Sequence, residues 1–198
     1  QTPDMHKLSF LIDHYSIPAK QLTEPAPTDA ELKSILQAAM SAPDHGQLKP
    51  FRFLTIRGEA RHQLSTVFEN AARLRGADDA TIQKQLKKPL RAPLIIIVIA
   101  CITDNPAIPQ IEQLLSAGVA AQHVQLACKT MGYGSIWVTG ENSYDLNVYE
   151  ALGLKVNERV IGFIYTGTPI GNINTKKRDD AEAITSIWNT PYHTDFSI

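Results

Sequence analysis

Pro93-Leu94-Ile95-Ile96-Ile97-Val98-Ile99-Ala100 decides the fold. The run is β-branched and apolar on both faces, as a central strand covered on both sides must be; a half-buried strand would alternate. It is too short to cross a bilayer, so its cover has to come from the rest of the chain. Upstream, Phe51-Arg52-Phe53-Leu54-Thr55-Ile56-Arg57 alternates and predicts a half-buried strand. Two helical patterns lie between these strands, over 58–75 (Leu64, Val67, Phe68, Ala71, Leu74) and, more exposed, over 80–88. Lys84, Lys87 and Lys88 of the second, with Arg91, form a basic cluster that reads first as a solvated face and second as a site attracting an anionic ligand. Nearer the N-terminus, Thr28 with Glu31 three residues on is a capping-box signature, starting a helix expected to end near Ala42, before Pro43. Leu8, Leu11 and Ile12 mark a first helix that breaks at Ser16-Ile17-Pro18 and delivers His14-Tyr15-Ser16 to its end. Downstream, 112–131 predicts a long helix whose Ser116-Ala117-Gly118-Val119-Ala120-Ala121 lets another backbone come close. A strand at Ser135-Ile136-Trp137-Val138, a short helix from Asp145 to Leu152 stopped by Gly153, and a strand over Val160–Tyr165 follow. Beyond residue 169 the chain is polar, with weak periodicity at Ile184, Ile187 and Trp188, and reads as an arm that must dock on something.

This order of elements is α+β: a mixed, mostly antiparallel sheet of four to five strands flanked by helices. A chain of 198 residues, 43% hydrophobic and 20% charged, suits one compact domain, here 1–198 with 170–198 as the C-terminal arm. Nineteen Lys plus Arg against twenty Asp plus Glu leave a formal charge of -1, so no whole-molecule field draws the protein to nucleic acid or a membrane. Cys101 and Cys128 sit in apolar stretches without Cys or His at a ligand spacing, which argues against a disulfide scaffold or zinc site and makes the reducing cytoplasm the expected compartment. No secretory pattern opens the sequence at Gln1-Thr2-Pro3-Asp4. Gly132-Tyr133-Gly134 lacks the third glycine of a dinucleotide fingerprint and precedes a strand instead of a helix. Walker A, H-E-x-x-H and G-x-S-x-G patterns are absent, so acid–base or metal-assisted hydrolysis has no visible apparatus.

Three segments carry a more specific signal. Ser41-Ala42-Pro43-Asp44-His45-Gly46-Gln47-Leu48-Lys49-Pro50-Phe51 is a polar loop bracketed by prolines, and rigidity there would cut the entropy lost on holding a ligand. Gly132-Tyr133-Gly134-Ser135-Ile136-Trp137-Val138-Thr139-Gly140 is a glycine turn running into a strand, and Val160 to Thr168-Pro169 is a strand ending in Gly-Thr-Pro. Together these segments resemble the FMN-dependent NAD(P)H nitroreductase family, in its short single-domain subgroup, over nearly the whole chain.

The resemblance implies a three-layer fold, a homodimer with two FMN sites at its interface, and a small-molecule electron acceptor of the nitroaromatic or quinone type. Hydride would pass from NAD(P)H through flavin N5 to that acceptor, with no catalytic side chain and no metal. His14, Tyr15, Ser16, Ser41, His45, Gln47, Trp137, Val138 and Thr139 carry over as flavin neighbours, and Ala127, Cys128, Lys129, Thr130, Met131 and Gly132 as the nicotinamide segment. The helix around Gly118 would fit the contact between subunits, and the C-terminal arm would reach across to the partner. Where the family has Arg-Arg-Ser this chain has His14-Tyr15-Ser16, so the phosphate needs another cation; Arg178 is the first choice, ahead of Lys20. With an ordinary imidazole pKa near 6.5, a His14–phosphate contact would make FMN affinity fall between about pH 6 and pH 8. A second reading stays open, a flavin-binding protein that stores or senses the cofactor without turnover.

Overall fold

The computed structural model describes residues 2–191 and 193–195; the last residues of the expected arm, 196–198, lie outside them. Among the described residues six α-helices, α1 (Met5–Ile12), α2 (Asp29–Ala39), α3 (Ala60–Leu74), α4 (Asp79–Lys87), α5 (Gln110–Thr130) and α6 (Leu146–Ala151), accompany seven strands. These are β1 (Leu22–Thr23), β2 (Phe51–Arg57), β3 (Leu94–Cys101), β4 (Gly134–Val138), β5 (Glu158–Pro169), β6 (Ile187–Thr190) and β7 (His193–Asp195). The main sheet runs β1-β5-β3-β2, with β4 also on β5, and β6 and β7 form a separate hairpin. Every pairing of the main sheet is antiparallel, in keeping with the expected mostly antiparallel sheet, and β3 and β4, both antiparallel to β5, run in the same direction.

The eight residues of β3 explain the layering. Leu94, Ile96, Val98 and Ala100 face α2 and α5, packing on Ile35, Ala39, Ala117, Ala121 and Val124. Ile95, Ile97 and Ile99 face α3 and α6, packing on Leu64, Phe68 and Val148. All seven of these strand residues from Leu94 to Ala100 are fully buried, and burying an aliphatic side chain of this size contributes about 1.5–3 kcal/mol. The expected capping box is present: Thr28 Oγ1 accepts from Glu31 N at 3.2 Å and Glu31 Oε1 accepts from Thr28 N at 2.9 Å. The helix it starts stops at Ala39, earlier than expected, because the backbone tightens into a turn whose Ser41 hydroxyl donates to Ala38 O.

The small residues of α5 meet the sheet. Ala117, Ala120 and Ala121 are wholly buried against the chain's own sheet, and Gly118 stands over the Trp137 ring, so the stripe brings helix and sheet together. The exposed face of α5 carries Ile111, Leu115 and Val119 instead. Among the described residues no helix is long and apolar enough to cross a membrane.

Candidate functional site

β4 pairs with β5 alone, which leaves its outer side as an open edge. At the start of that edge Ser135 O accepts from Ile17 N at 3.1 Å. In an antiparallel ladder the outward-facing groups recur every second residue, so the Trp137 main chain also faces off the sheet. From Ser135 to Thr139 the strand path covers roughly 13 Å, and a cavity opens at each end of it.

The first cavity, about 310 Å³, is lined by His14, Tyr15 and Ser16, by Gln122 and Gln125 of α5, and by Asn174, Lys176 and Arg178 of the arm. The root of the arm is tied down by Gln21, whose Nε2 donates to Ile170 O (3.2 Å) and Asn172 O (2.9 Å). Arg178 then donates to His14 O and stacks 4.5 Å from the Tyr15 ring centre. Residues 170–178 thus fold back on their own chain, where sequence reasoning had the arm reaching a partner. Lys176 and Arg178 have no carboxylate partner among the described residues. Burial, then the charges of Lys129 and Arg178, hold the His14 imidazole below its ordinary pKa. A smaller cavity next to it shares His14 and Tyr15 and adds Asp13, Lys129, Gly134 and Ser135.

The second cavity, also about 310 Å³, has a floor of Phe68, Phe163 and Tyr165 and a wall of Val138, Thr139 and Gly140. Lys84, Lys88 and Arg91 line it, so most of the cluster read from sequence as a solvated face rims a pocket. Burial and then the neighbouring Lys84, Arg91 and Arg75 push the Lys88 ammonium below its ordinary pKa, and the charge of Glu141 opposes them only in part. Tyr165 is 3% exposed, and its hydroxyl has no hydrogen-bond partner among the described residues. The turn closing this cavity is held by Arg75, which reaches Asp145 Oδ2 at 2.7 Å, and by Asn142 Nδ2 donating to Gln85 Oε1 at 2.8 Å. The signal that could have found the cluster is its position directly before β3, whose neighbour β5 also carries β4.

The remaining predicted residues lie elsewhere. Ser41 joins Ala127, Thr130 and Met131 in an apolar groove of about 360 Å³ between α2 and α5, where its Oγ meets His123 Nδ1 at 2.9 Å. His45 Nδ1 meets Glu112 Oε1 at 2.9 Å, and Gln47 follows with φ 51° in a loop whose Leu48 and Lys49 amides are clamped by Asp44. Two strands separate this loop, at the start of β2, from β4, about 14 Å across the sheet, so one chain does not bring His45 and Gln47 to Trp137. Cys128 is corrected outright: it is fully buried in the core, burial pushes its thiol up to about 12, and its side chain faces no cavity. Lys129 donates to Phe10 O at 2.6 Å, and Gly132 makes the turn after α5 with φ 83°. Trp137 points inward as well. The β5 bulge leaves Ile161 unpaired, the indole Nε1 donates to the Ile161 carbonyl at 3.2 Å, and a Cβ at Gly162 would overlap the ring. A ligand at β4 therefore meets the Trp137 main chain, not its indole.

Comparison with known proteins shows the family. The model of the nitroreductase family matches residues 14–168. YdjA of Escherichia coli K12, whose name places it provisionally among the NAD(P)H nitroreductases, is 42% identical over 165 residues, covering 83% of this chain and 89% of that protein. The crystal structure of a nitroreductase-like family protein from Bacillus cereus superposes with a TM-score of 0.77 at 21% identity, over 96% of this chain and all (100%) of the other. A Desulfovibrio desulfuricans structure described as a complex with FMN gives 0.69 at 22% identity, over 98% and 99% of the two chains.

Proposed function

Since the chain belongs to the nitroreductase family, we propose that it is an NAD(P)H-dependent FMN oxidoreductase whose cofactor lies along the open edge of β4, acting on nitroaromatic or quinone-type acceptors. The observation that carries this reading is the pair of cavities at the two ends of that strand, each holding cations that form no direct ion pair with a carboxylate among the described residues. The residues present suit FMN. The first cavity is polar, with Lys176, Arg178, Ser16 and the two glutamines available to a phosphate; the second is aromatic-floored, as a flat ring requires, with main-chain groups at its wall.

FMN, when bound, supplies the two-electron chemistry between NAD(P)H and the acceptor. The protein's part is to bind and orient. Lys176 and Arg178 would hold the phosphate, the Trp137 and Thr139 main chain would offer hydrogen bonds to the polar edge of the ring, and Lys88 and Arg91 would supply positive charge beside it. Ser41, His45 and Gln47 complete the site from a second copy. Support for a homodimer comes from the apolar side chains left exposed on one face of α5 (Ile111, Leu115, Val119) and on α1 (Met5, Leu8, Leu11, Ile12). Pairing along α5 is the arrangement that would carry the Ser41–Gln47 segment of one copy toward β4 of the other.

The test is the visible spectrum of freshly purified protein before and after FMN addition and desalting, followed by NAD(P)H oxidation with a quinone and by sedimentation. A yellow dimer that turns over is expected. Protein that stays colourless with excess FMN overturns the cofactor assignment, and a yellow protein without turnover favours flavin storage or sensing.

A further inference from the structure

His14 stands where the first cavity meets its smaller neighbour. The charged and titratable groups around it come from every packed element: Asp13 from the end of α1, Lys129 from α5, Tyr133 from the turn after α5, Lys176 and Arg178 from the arm. Three of these are cations. Lys129 is fixed by its bond to Phe10 O and sits 4.4 Å above the Phe10 ring, while the Tyr133 hydroxyl is committed to Glu31 Oε1 at 2.7 Å. The His14 carbonyl is taken by Arg178, but its imidazole has no hydrogen-bond partner among the described residues. A neutral imidazole offers one N–H donor and a charged one offers two.

We propose, on the footing that the FMN phosphate enters this cavity, that FMN uptake is coupled to uptake of a proton by His14, which donates to the phosphate in its charged form. In the free chain partial burial, and then the charges of Lys129 and Arg178, keep the imidazole neutral near pH 7. A phosphate monoester, with its second ionisation near pH 6, brings close to two negative charges into the same space and reverses the local field. The imidazole then gains both a proton and an acceptor. A guanidinium at this position would carry its charge at every relevant pH, whereas His14 acquires it only with the anion. The sign follows: the bound protein holds one proton more than the free protein, so affinity falls as pH rises. The fall is about tenfold per pH unit at most, between the free pKa of His14, below 6.5, and its bound value. Riboflavin, which lacks the phosphate, should bind without the proton.

Two measurements decide it. Calorimetric titration of the full chain with FMN near pH 7, in buffers of different ionisation enthalpy, should show net proton uptake; it should vanish with riboflavin and be lost in His14→Gln apart from the phosphate's own ionisation. Proton NMR of the unaltered protein, which depends on no variant folding, should show the His14 ring titrating below pH 6.5 when free and above it when FMN is bound. A yellow protein whose His14 signal titrates identically with and without FMN overturns the coupling alone, as does a His14→Gln variant with an unchanged proton count. A protein that takes up no FMN overturns it together with the cofactor assignment.

Discussion

At the start of β5, Glu158 is enclosed by donors from its own chain, whereas beside the later half of the same strand the cations of two cavities form no direct ion pair among the described residues. Glu158 accepts from Arg52 Nε at 2.6 Å and Nη2 at 3.1 Å, from Lys155 N at 2.8 Å and from the Cys101 thiol at 3.2 Å. The Arg52 bonds above all hold its carboxyl at about 2, against the opposing effect of burial. Burial, then Glu158, pushes the Cys101 thiol up to about 11, which makes it a poor nucleophile. Charge balanced inside the chain is spent on stability. Charge left unbalanced at Lys176 and Arg178, or at Lys88 and Arg91, is available to a ligand, and the contrast separates folding from binding within one sheet.

Removing the Arg52 guanidinium should have the largest effect. Arg52→Ala strands a carboxylate whose side chain is 4% exposed, and should cost about 3–5 kcal/mol in urea unfolding while the folded fraction binds FMN as before. A loss under about 1 kcal/mol would show that the pair is not the anchor described here. Acid should act on the same pair more gently, because a protonated carboxyl keeps part of its bonding. The folded pKa of Glu158 lies below its unfolded value of 4.5, so its contribution is complete above that value and is lost as pH falls toward about 2. Stability measured across that window should slope downward with acid in the parent and much less in Glu158→Gln. On the binding side, Lys176→Ala with Arg178→Ala should weaken FMN by about ten- to hundredfold in fluorescence titrations, with stability within about 0.5 kcal/mol of the parent. If the double variant loses more stability than affinity, the arm belongs with the balanced group. Arg178→Lys, which keeps the charge but not the planar stack on Tyr15, should produce the smallest loss, about a few fold.

The same division explains what could be read from sequence. β2 and β3 follow from alternation and continuous apolarity, α2 from Thr28 and Glu31, and the turn after α6 from Gly153, because each is set by neighbours a few residues apart. β1 escaped notice because two residues carry no pattern; Leu22 and Thr23 are strand only through pairing with Pro169 and Thr168. The inward turn of Trp137 depends on a bulge and a glycine about 25 positions downstream, which local spacing cannot reveal. Lys84, Lys88 and Arg91 were visible as charge, but whether they meet water or Val138 and Thr139 is decided by the sheet order. The family segments say nothing of which way a side chain turns: Cys128 lies one residue from Ala127, which lines a groove, yet faces the core.

The distance across the sheet between the His45 loop and β4 has a genetic corollary. If each site is shared between copies, a chain crippled at His45 and Gln47 and a chain crippled at Lys176 and Arg178 fail separately for complementary reasons. Mixed and refolded together, the two would rebuild one intact site per heterodimer, so activity returning from two inactive preparations would count the chains that each site needs.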